Sequence, residues 1–441
     1  IGGIPYIIED GKTGLLFEEG NIDELARNVL KLLADKNMRL NMGRAGREKA
    51  KLFSWNEIAD KTAKVYRKVL WSKMLQLIYY YPFVAGAPAE VSRSLFSRLK
   101  DKNLLFNISV FPQYRKGTKI IGDKYDNVEI SSYRDLFKSS GKQIIHFTMS
   151  PMVFPNRKFL LYLLSLLNRK RLIINYHGDP KTEFHIKLLN RDLRCLVCIP
   201  DYILAPLILK SADIVIVNSS FMENIFKRRY NIKNLVVVPN GIDPSWLNSE
   251  SIKYDLKNGN LEVFTLFYHG RLAPEKGVEI LIRSIYDLTT KYNKNIKLYI
   301  AGEGTQDKYL KELCIRLGIE RKVIFLGKVP LKTLQSYLRS IDAAIYPSIY
   351  EPFSLAVLEA FSTVEGPVIY SKNIGINDFV LKEGFNFYTF EPSIQGISNS
   401  IKMIIDKRYD ERIYYKQKEF AHKYSWENIV KEYIKIYEKF I

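Results

Sequence analysis

Glu351 and Glu359 stand eight positions apart in the run Tyr350-Glu351-Pro352-Phe353-Ser354-Leu355-Ala356-Val357-Leu358-Glu359, which follows an apolar stretch ending Tyr346-Pro347-Ser348. The pattern is strand, loop, helix. Glu351 then lies in the loop at the strand's carboxyl end, and Glu359 about one to two turns into the helix on its cleft-facing side. Backbone amides around Phe353, Ser354 and Leu355 open that helix and can meet a phosphate or sugar hydroxyls. A carboxylate that accepts two hydrogen bonds suits paired hydroxyls, such as those of a ribose. A second group begins at Tyr268, where Tyr-His-Gly-Arg-Leu-Ala-Pro-Glu-Lys-Gly leads from a strand into a helix. Gly270 permits a sharp exit from the strand. Arg271 and Lys276 place two cations at the mouth of the helix that follows Gly277, an arrangement suited to a diphosphate. Alone, this pair also fits an ordinary surface Arg and Lys; the two carboxylates downstream favour a site.

Such residues need a scaffold that delivers strand ends to one place. Short β-branched and aromatic runs alternate with helical patterns over residues 71–240. Strands are predicted at Met74–Tyr81, Leu105–Val110, Asn127–Ser131, Gln143–Thr148, Arg171–His177, Asp213–Asn218 and Leu235–Val238. The polar stretch Pro244–Asn260 reads as an interdomain linker. The rhythm restarts with strands at Phe264–His269, Ile296–Ala301, Val323–Leu326, Ala343–Tyr346 and Pro367–Tyr370, each followed by a helix. Two parallel, doubly wound sheets are the natural solution. Ligands of such sheets bind beyond the carboxyl ends of the strands, so two facing sheets share one cleft.

A chain of 441 residues, 47% hydrophobic and 13% aromatic, is long enough for two or three domains and too apolar to be disordered. Its net charge of +20 is concentrated: residues 71–240 carry +14 of it. Arg169-Lys170-Arg171 and Lys227-Arg228-Arg229 lack the interleaved aromatics of a nucleic-acid stacking platform. An anionic membrane surface is therefore the expected partner, against the plainer alternative of a solvated basic face; no nucleic acid is expected. No stretch reaches the ~18 apolar residues of a membrane span. The chain opens on Ile1, so no signal peptide is expected and residue 1 is not read as a native start. Three cysteines suggest a reducing, cytoplasmic setting. Cys195 and Cys198 form a CxxC inside Cys-Leu-Val-Cys-Ile-Pro-Asp-Tyr-Ile-Leu-Ala-Pro-Leu-Ile-Leu, which reads as buried helix packing, not a metal site. Ala301-Gly302-Glu303-Gly304 lacks the third glycine of a dinucleotide fingerprint, and Glu303 reads as an exposed turn residue.

Gly-Arg-Leu-x-x-Glu-Lys-Gly followed by Glu-Pro-Phe-x-x-x-x-x-Glu resembles the retaining GT-B glycosyltransferases of the family-4, mannosyl- and glucosyltransferase type. The resemblance extends over 71–441. Val238-Pro239-Asn240-Gly241-Ile242-Asp243 is similar to that family's crossover between domains, and Tyr176-His177-Gly178-Asp179 to the segment carrying its catalytic-cleft histidine. The resemblance implies a GT-B fold: two Rossmann-like domains facing a cleft, an acceptor-side domain over 71–243, a nucleotide-sugar domain over 244–425 and a closing helix over 426–441. It implies that Arg271 and Lys276 hold the donor diphosphate and that Glu359 binds the ribose. Glu351, Phe353, Ser354 and Leu355 would hold the donor sugar. His177 would line the reaction centre, and Gly86 would approach the phosphates. No metal or cofactor is implied, and the chain has no Asp-x-Asp to bridge one. Two departures stand out. Ala85-Gly86-Ala87 replaces paired glycines, and Asn373-Ile374-Gly375-Ile376-Asn377 replaces Gly-Gly-x-Pro-Glu. The plainer alternative for His177 is a core histidine at a strand end.

The implied activity is transfer of a sugar from a nucleoside-diphosphate sugar to a hydroxyl acceptor, lipid-linked or a glycan, with anomeric configuration retained, at the inner face of the membrane. A GT-B epimerase or phosphorylase, and a non-catalytic scaffold, are the competing readings. Residues 1–70 read as the C-terminal fragment of another copy, a mostly helical remnant with helices at Ile22–Leu33, Met38–Lys51 and Asn56–Leu70. Phe53-Ser54-Trp55-x-x-Ile58 returns as Tyr424-Ser425-Trp426-x-x-Ile429, and Tyr66 as Tyr437, all at an offset of 371. The fragment has no counterpart of Arg271, Lys276, Glu351 or Glu359.

Overall fold

The computed structural model of the chain describes residues 4–55, 58–59, 61–62, 75–81, 87–100, 106–112, 129–130, 132–138, 143–149, 157–190, 195–196, 199–247, 252–257, 259–406, 409–410 and 412–440. The chain divides into two compact units, Ile1–Met74 and Leu75–Ile441.

The larger unit contains two wholly parallel sheets. The first takes β1 (Leu75–Tyr81), β2 (Phe106–Pro112), β3 (Glu129–Ile130), β4 (Gln143–Met149), β5 (Arg171–Tyr176), β6 (Ile214–Val217) and β7 (Leu235–Val237), in the order β3-β2-β1-β4-β5-β6-β7. The second takes β8 (Phe264–His269), β9 (Ile296–Ala301), β10 (Val323–Gly327), β11 (Ala343–Tyr346), β12 (Val368–Ser371) and β13 (Thr389–Phe390), in the order β10-β9-β8-β11-β12-β13. Both sheets start in the middle, wind to one edge, then return to wind to the other. The reversal falls between β1 and β4 and again between β8 and β11, where a doubly wound sheet opens a crevice for ligand. Helices cover both faces, so central strands such as Ala-Ala-Ile-Tyr of β11 are buried at every position. The α/β fold class is as expected, with strand ends shifted by a residue or two. β13 carries no period-two pattern in its two residues and was not anticipated.

The segment expected to be a linker is partly structured. Pro244–Leu247 forms a helical turn that buries Trp246, because an indole left in water is unfavourable when a ring lies nearby to cover it. The last helix, Trp426–Glu438, presents Trp426, Ile429, Val430, Tyr433 and Tyr437 on one buried stripe. Asn175 donates to Tyr433 Oη at 2.7 Å, and Tyr437 Oη lies 2.7 Å from His146 Nδ1, so this helix clasps the first sheet.

The smaller unit has helices at Ile22–Ala34 and Lys36–Lys51. Asn21 and Asp35 cap them by accepting from the amides of Glu24 and Met38, both at 2.9 Å. Among its described residues only Met42 is buried. Most of the expected helix over Asn56–Leu70 lies outside the described residues, as do Gly86 and Cys198.

Candidate active site

The residues expected to meet a donor gather where β8 and β11 end. After His269 the chain turns through Gly270 and Arg271 into the short turn Pro274–Lys276, and Gly277 (φ +67°) starts the helix Val278–Thr290. A Cβ at Gly277 would overlap the Pro347 carbonyl, so only glycine lets the two strand exits lie backbone against backbone. Ile349 N donates to Glu275 O at 2.9 Å and fixes the loops together.

Each expected cation has a carboxylate partner in the same cluster. Arg271 Nη2 donates to Glu275 Oε1 at 2.7 Å while the rest of its guanidinium is exposed. Lys276 forms an ion pair with Glu351 with little solvent on either side, and Ser348 Oγ donates to the other Glu351 oxygen at 2.8 Å. From sequence, Lys276 and Glu351 are expected at separate parts of a donor. The structure joins them directly, because an ammonium largely removed from water needs a counter-charge. One ammonium hydrogen serves Glu351, leaving two for other acceptors.

Glu359 lies on the second turn of the helix Leu355–Thr363. Its Oε2 is 3.0 Å from His269 Nε2, and His269 Nδ1 is 2.8 Å from Tyr346 Oη. Burial, then the charge of Glu359, holds the Tyr346 hydroxyl well above its ordinary pKa, so it stays protonated. A carboxylate only accepts, which places a hydrogen on Nε2 and leaves Nδ1 to accept from Tyr346. One Glu359 oxygen is thereby held, and among the described residues no hydrogen bond engages the other. Trp246 stacks on the His269 ring at 6.2 Å between centroids and 19° between planes. Neither His269 nor Trp246 was assigned a role from sequence. The signal was present in Tyr268-His269-Gly270, a polar ring at a strand end beside the glycine exit.

Between the carboxylates, Ser354 adopts φ +84°, a conformation a residue with a side chain rarely takes. Its Oγ caps the helix, accepting from Val357 N at 3.3 Å. Among the described residues, no hydrogen bond satisfies the amides of Phe353, Ser354 and Leu355. The loop is braced from outside. Gly375 N donates to Glu351 O and Ile376 N to Phe353 O, both at 3.0 Å, while Ser219 Oγ of the first half donates to Pro352 O at 2.6 Å. A Cβ at Gly375 would stand 2.6 Å from Ser219 Oγ and overlap the Pro352 carbonyl. The divergent Asn373–Asn377 segment is therefore the packing surface between this loop and the first half.

His177 follows β5 in the first half. Both its ring nitrogens are shielded from solvent and find no hydrogen-bond partner among the described residues, and burial lowers its pKa to about 4, so the ring is neutral near pH 7. Two residues on, Asp179 caps the helix Pro180–Leu189 and binds Arg229 and Tyr230. Its backbone N–H donates to Tyr350 Oη at 3.0 Å. Tyr350 immediately precedes Glu351, so the His177 loop and the Glu351 loop are joined across the cleft. Burial pushes the Glu183 carboxyl up to about 7, against the pull of Lys187 and Arg271. The structure thus brings together Gly270, Arg271, Lys276, Glu351, Phe353, Ser354, Leu355 and Glu359, with the His177 loop bonded to their edge. Among the described residues no cluster of His, Cys, Asp or Glu could hold a metal ion.

The sequence matches the family of glycosyl transferases group 1 over residues 1–49 and 254–420, and glycosyltransferase family 4 over 125–246. An uncharacterized glycosyltransferase of Methanocaldococcus jannaschii is 31% identical over 239 residues, 52% of this chain and 60% of that protein. The lipopolysaccharide 1,2-N-acetylglucosaminetransferase of Salmonella typhimurium is 27% identical over 232 residues, 50% of this chain and again 60% of that protein. The chain thus spans three fifths of the length of both. Among solved structures, Anabaena HepE in complex with UDP-glucose superposes with a TM-score of 0.62 at 18% identity, covering 83% of this chain and 100% of that one.

Proposed function

We propose, from the premise that this chain is a glycosyltransferase of GT-B fold with family 4 and group 1 domains, that it moves a hexose from a nucleoside-diphosphate sugar to a hydroxyl acceptor with retention of configuration. The observation that carries this is the Glu359 carboxylate, fixed through one oxygen by His269 and Tyr346 at the β8–β11 crevice. Its second oxygen suits the ribose hydroxyls. The amides of Phe353, Ser354 and Leu355 and the remaining Lys276 hydrogens then meet the donor sugar and diphosphate, with Arg271 at the exposed end. Cations placed where charge develops stabilise the departing nucleoside diphosphate and take the place a metal ion has in other transferases. In this reading the acceptor oxygen bonds to the anomeric carbon on the face from which the diphosphate leaves. A phosphate oxygen takes the acceptor proton, and neutral His177 lines the centre.

The acceptor-side domain is read as 71–243, the donor domain as 244–425 and the closing helix as 426–441. The acceptor is lipid-linked or a glycan, and the charge of +14 on residues 71–240 favours work at the cytoplasmic face of an anionic membrane. Residues 1–70 are read as the C-terminal fragment of a second copy. The group 1 match to 1–49 as well as to 254–420 and the 371-residue offset support that reading.

The test is release of nucleoside diphosphate from a panel of donors. UDP-glucose and UDP-N-acetylglucosamine come first, because HepE was solved with the former and the Salmonella relative is named for transfer of N-acetylglucosamine. A folded chain that neither binds nor cleaves any nucleotide sugar would sink the proposal. Turnover abolished by a chelator would remove the metal-free mechanism.

A further inference from the structure

The helix Ile199–Ser211 is apolar nearly all round, in the sequence Ile-Pro-Asp-Tyr-Ile-Leu-Ala-Pro-Leu-Ile-Leu. Such a helix belongs inside a core or in lipid. Here only one side is covered. Ala205, Ile208 and Leu209 are buried, whereas Ile199, Ile203 and Leu207, spaced four residues apart, face solvent, the last two 60% and 63% exposed. The neighbouring helix Arg157–Leu167, joined through Tyr162 Oη and Ser211 Oγ at 2.7 Å, repeats the pattern. Leu161 and Tyr162 are buried, and Leu160, Leu163 and Leu167 are exposed, Leu167 at 79%. The helices lie in the β4-to-β5 and β5-to-β6 crossovers, which step the same way across the sheet, so right-handed connection puts both on one face. The run Cys195–Leu209, expected to be buried packing, is on one side of its described helix a surface.

Charge selects the occupant. Asp201 is the sole acid in either helix and is buried, so neither outer face carries a carboxylate. Arg169, Lys170 and Lys210 stand at the carboxyl ends of the two helices, within the half that holds most of the chain's excess positive charge. Adjacent apolar stripes bordered by cations match acyl chains beneath anionic headgroups. No helix among the described residues is long and apolar enough to cross a membrane.

We propose that the Arg157–Leu167 and Ile199–Ser211 helices seat this enzyme on anionic lipid by placing their exposed leucine and isoleucine side chains at the acyl boundary beneath the headgroups. This deepens the membrane reading above, adding apolar insertion to charge attraction. Its test uses no donor sugar, so its failure is distinct from failure of the transferase reading.

Binding of the full chain to vesicles of phosphatidylcholine with phosphatidylglycerol, against phosphatidylcholine alone, gives the baseline. Ile203→Glu with Leu207→Glu should weaken binding to the anionic vesicles by at least about tenfold, with an unchanged melting curve. Leu207→Trp preserves an apolar face, and its added emission should shift to the blue and be quenched by brominated acyl chains. If the double glutamate variant does not fold, the tryptophan variant decides. Equal binding by the glutamate variant, an unquenched Trp on bound vesicles, or no vesicle binding by the parent chain would overturn the proposal. So would a dimeric parent that the glutamates convert to monomers still able to bind vesicles, which would make this face a contact between copies.

Discussion

Trp55 and Trp426 occupy the same motif in two regions of the chain, yet Trp55 is 84% exposed and Trp426 2% exposed. The surrounding residues follow suit. Phe53 and Ile58 face solvent, whereas Tyr424 and Ile429 are buried. The difference is not in the helices, whose caps and stripes are local properties. It lies in what the stripe meets. Trp426 N donates to Ile242 O at 3.1 Å, Ile242 N donates to Tyr424 O at 2.9 Å, and a Cβ on Gly241 would come within 2.7 Å of the indole. The crossover segment Val238–Ile242 is thus half of the tail's binding site, and residues 1–70 contain no counterpart of it. A tail of this type is encoded locally and stabilised only by a distant crossover.

The sharpest way to break that comparison is to make the same substitution twice. Trp426→Ala should destabilise the larger unit by ~3–5 kcal/mol, the usual cost of removing a buried tryptophan. Trp55→Ala should change stability by no more than about 0.5 kcal/mol, as at other exposed positions. Denaturant melts of the two variants decide it. Equal losses would mean that Trp55 is buried in solution and that the two segments are not different in kind.

The larger unit also carries the charged cluster that residues 1–70 lack. Lys276→Ala should lower turnover by ~100- to 1,000-fold, as loss of one electrostatic donor does elsewhere. Arg271→Ala should cost less, since its guanidinium is largely exposed. If both act on one diphosphate, the double variant will lose less than the product of the two. Strict multiplication of the effects would separate their sites.

Glu359→Ala tests the other side of the same crevice. Loss of a charge-assisted hydrogen bond is worth ~1.5–3 kcal/mol, so donor affinity should fall about tenfold to a hundredfold, with a smaller change in turnover. Titration with nucleoside diphosphate measures it directly. An unchanged dissociation constant would assign Glu359 to His269 alone.

How much of this was legible follows from distance along the chain. Glu351, Glu359 and the amides between them could be read because one loop-helix junction holds them all. Arg271 and Lys276 could be read as cations. The pairing of Lys276 with Glu351 could not, because that partner comes from a strand exit that only the β8–β11 adjacency brings close. The Tyr346–His269–Glu359 line has the same origin. Tyr350 donates nothing recognisable to a motif, yet its hydroxyl ties the Glu351 loop to an amide 171 residues away. The helix Ile199–Ser211 failed differently: its composition is that of a core helix, and composition does not say which side is covered.

The clasp between the last helix and the first sheet should also make stability depend on pH. Burial, and then the neighbouring His177, lowers the His146 pKa to about 3, and burial lowers that of His177 to about 4. The unfolded chain protonates both near pH 6.5, well before the folded chain does. The full stabilisation is therefore present above pH 6.5 and declines as pH falls toward 4, by ~1.4 kcal/mol per pH unit for each histidine. Melts of the parent chain at pH 7 and pH 5 should differ, and His146→Gln should narrow the gap. A gap left unchanged by that substitution would place the acid sensitivity elsewhere.

The smallest expected effect is none at all. Removing residues 1–70 should leave the melt and donor turnover of 71–441 unchanged, because the larger unit already has its own Tyr424-Ser425-Trp426 segment and closing helix. The exposed face of the fragment includes Trp55, Leu30 and Leu33. Apolar surface in water costs ~25 cal/mol per Å², which favours self-association of any chain that displays it. The truncated protein should accordingly be more soluble and more uniformly monomeric than its parent at equal activity. Light scattering and a donor-release assay on the two chains side by side measure both quantities. Loss of the cooperative transition, or of turnover, on truncation would show that residues 1–70 are integral to the larger unit, and the contrast between Trp55 and Trp426 would no longer support reading them as a remnant.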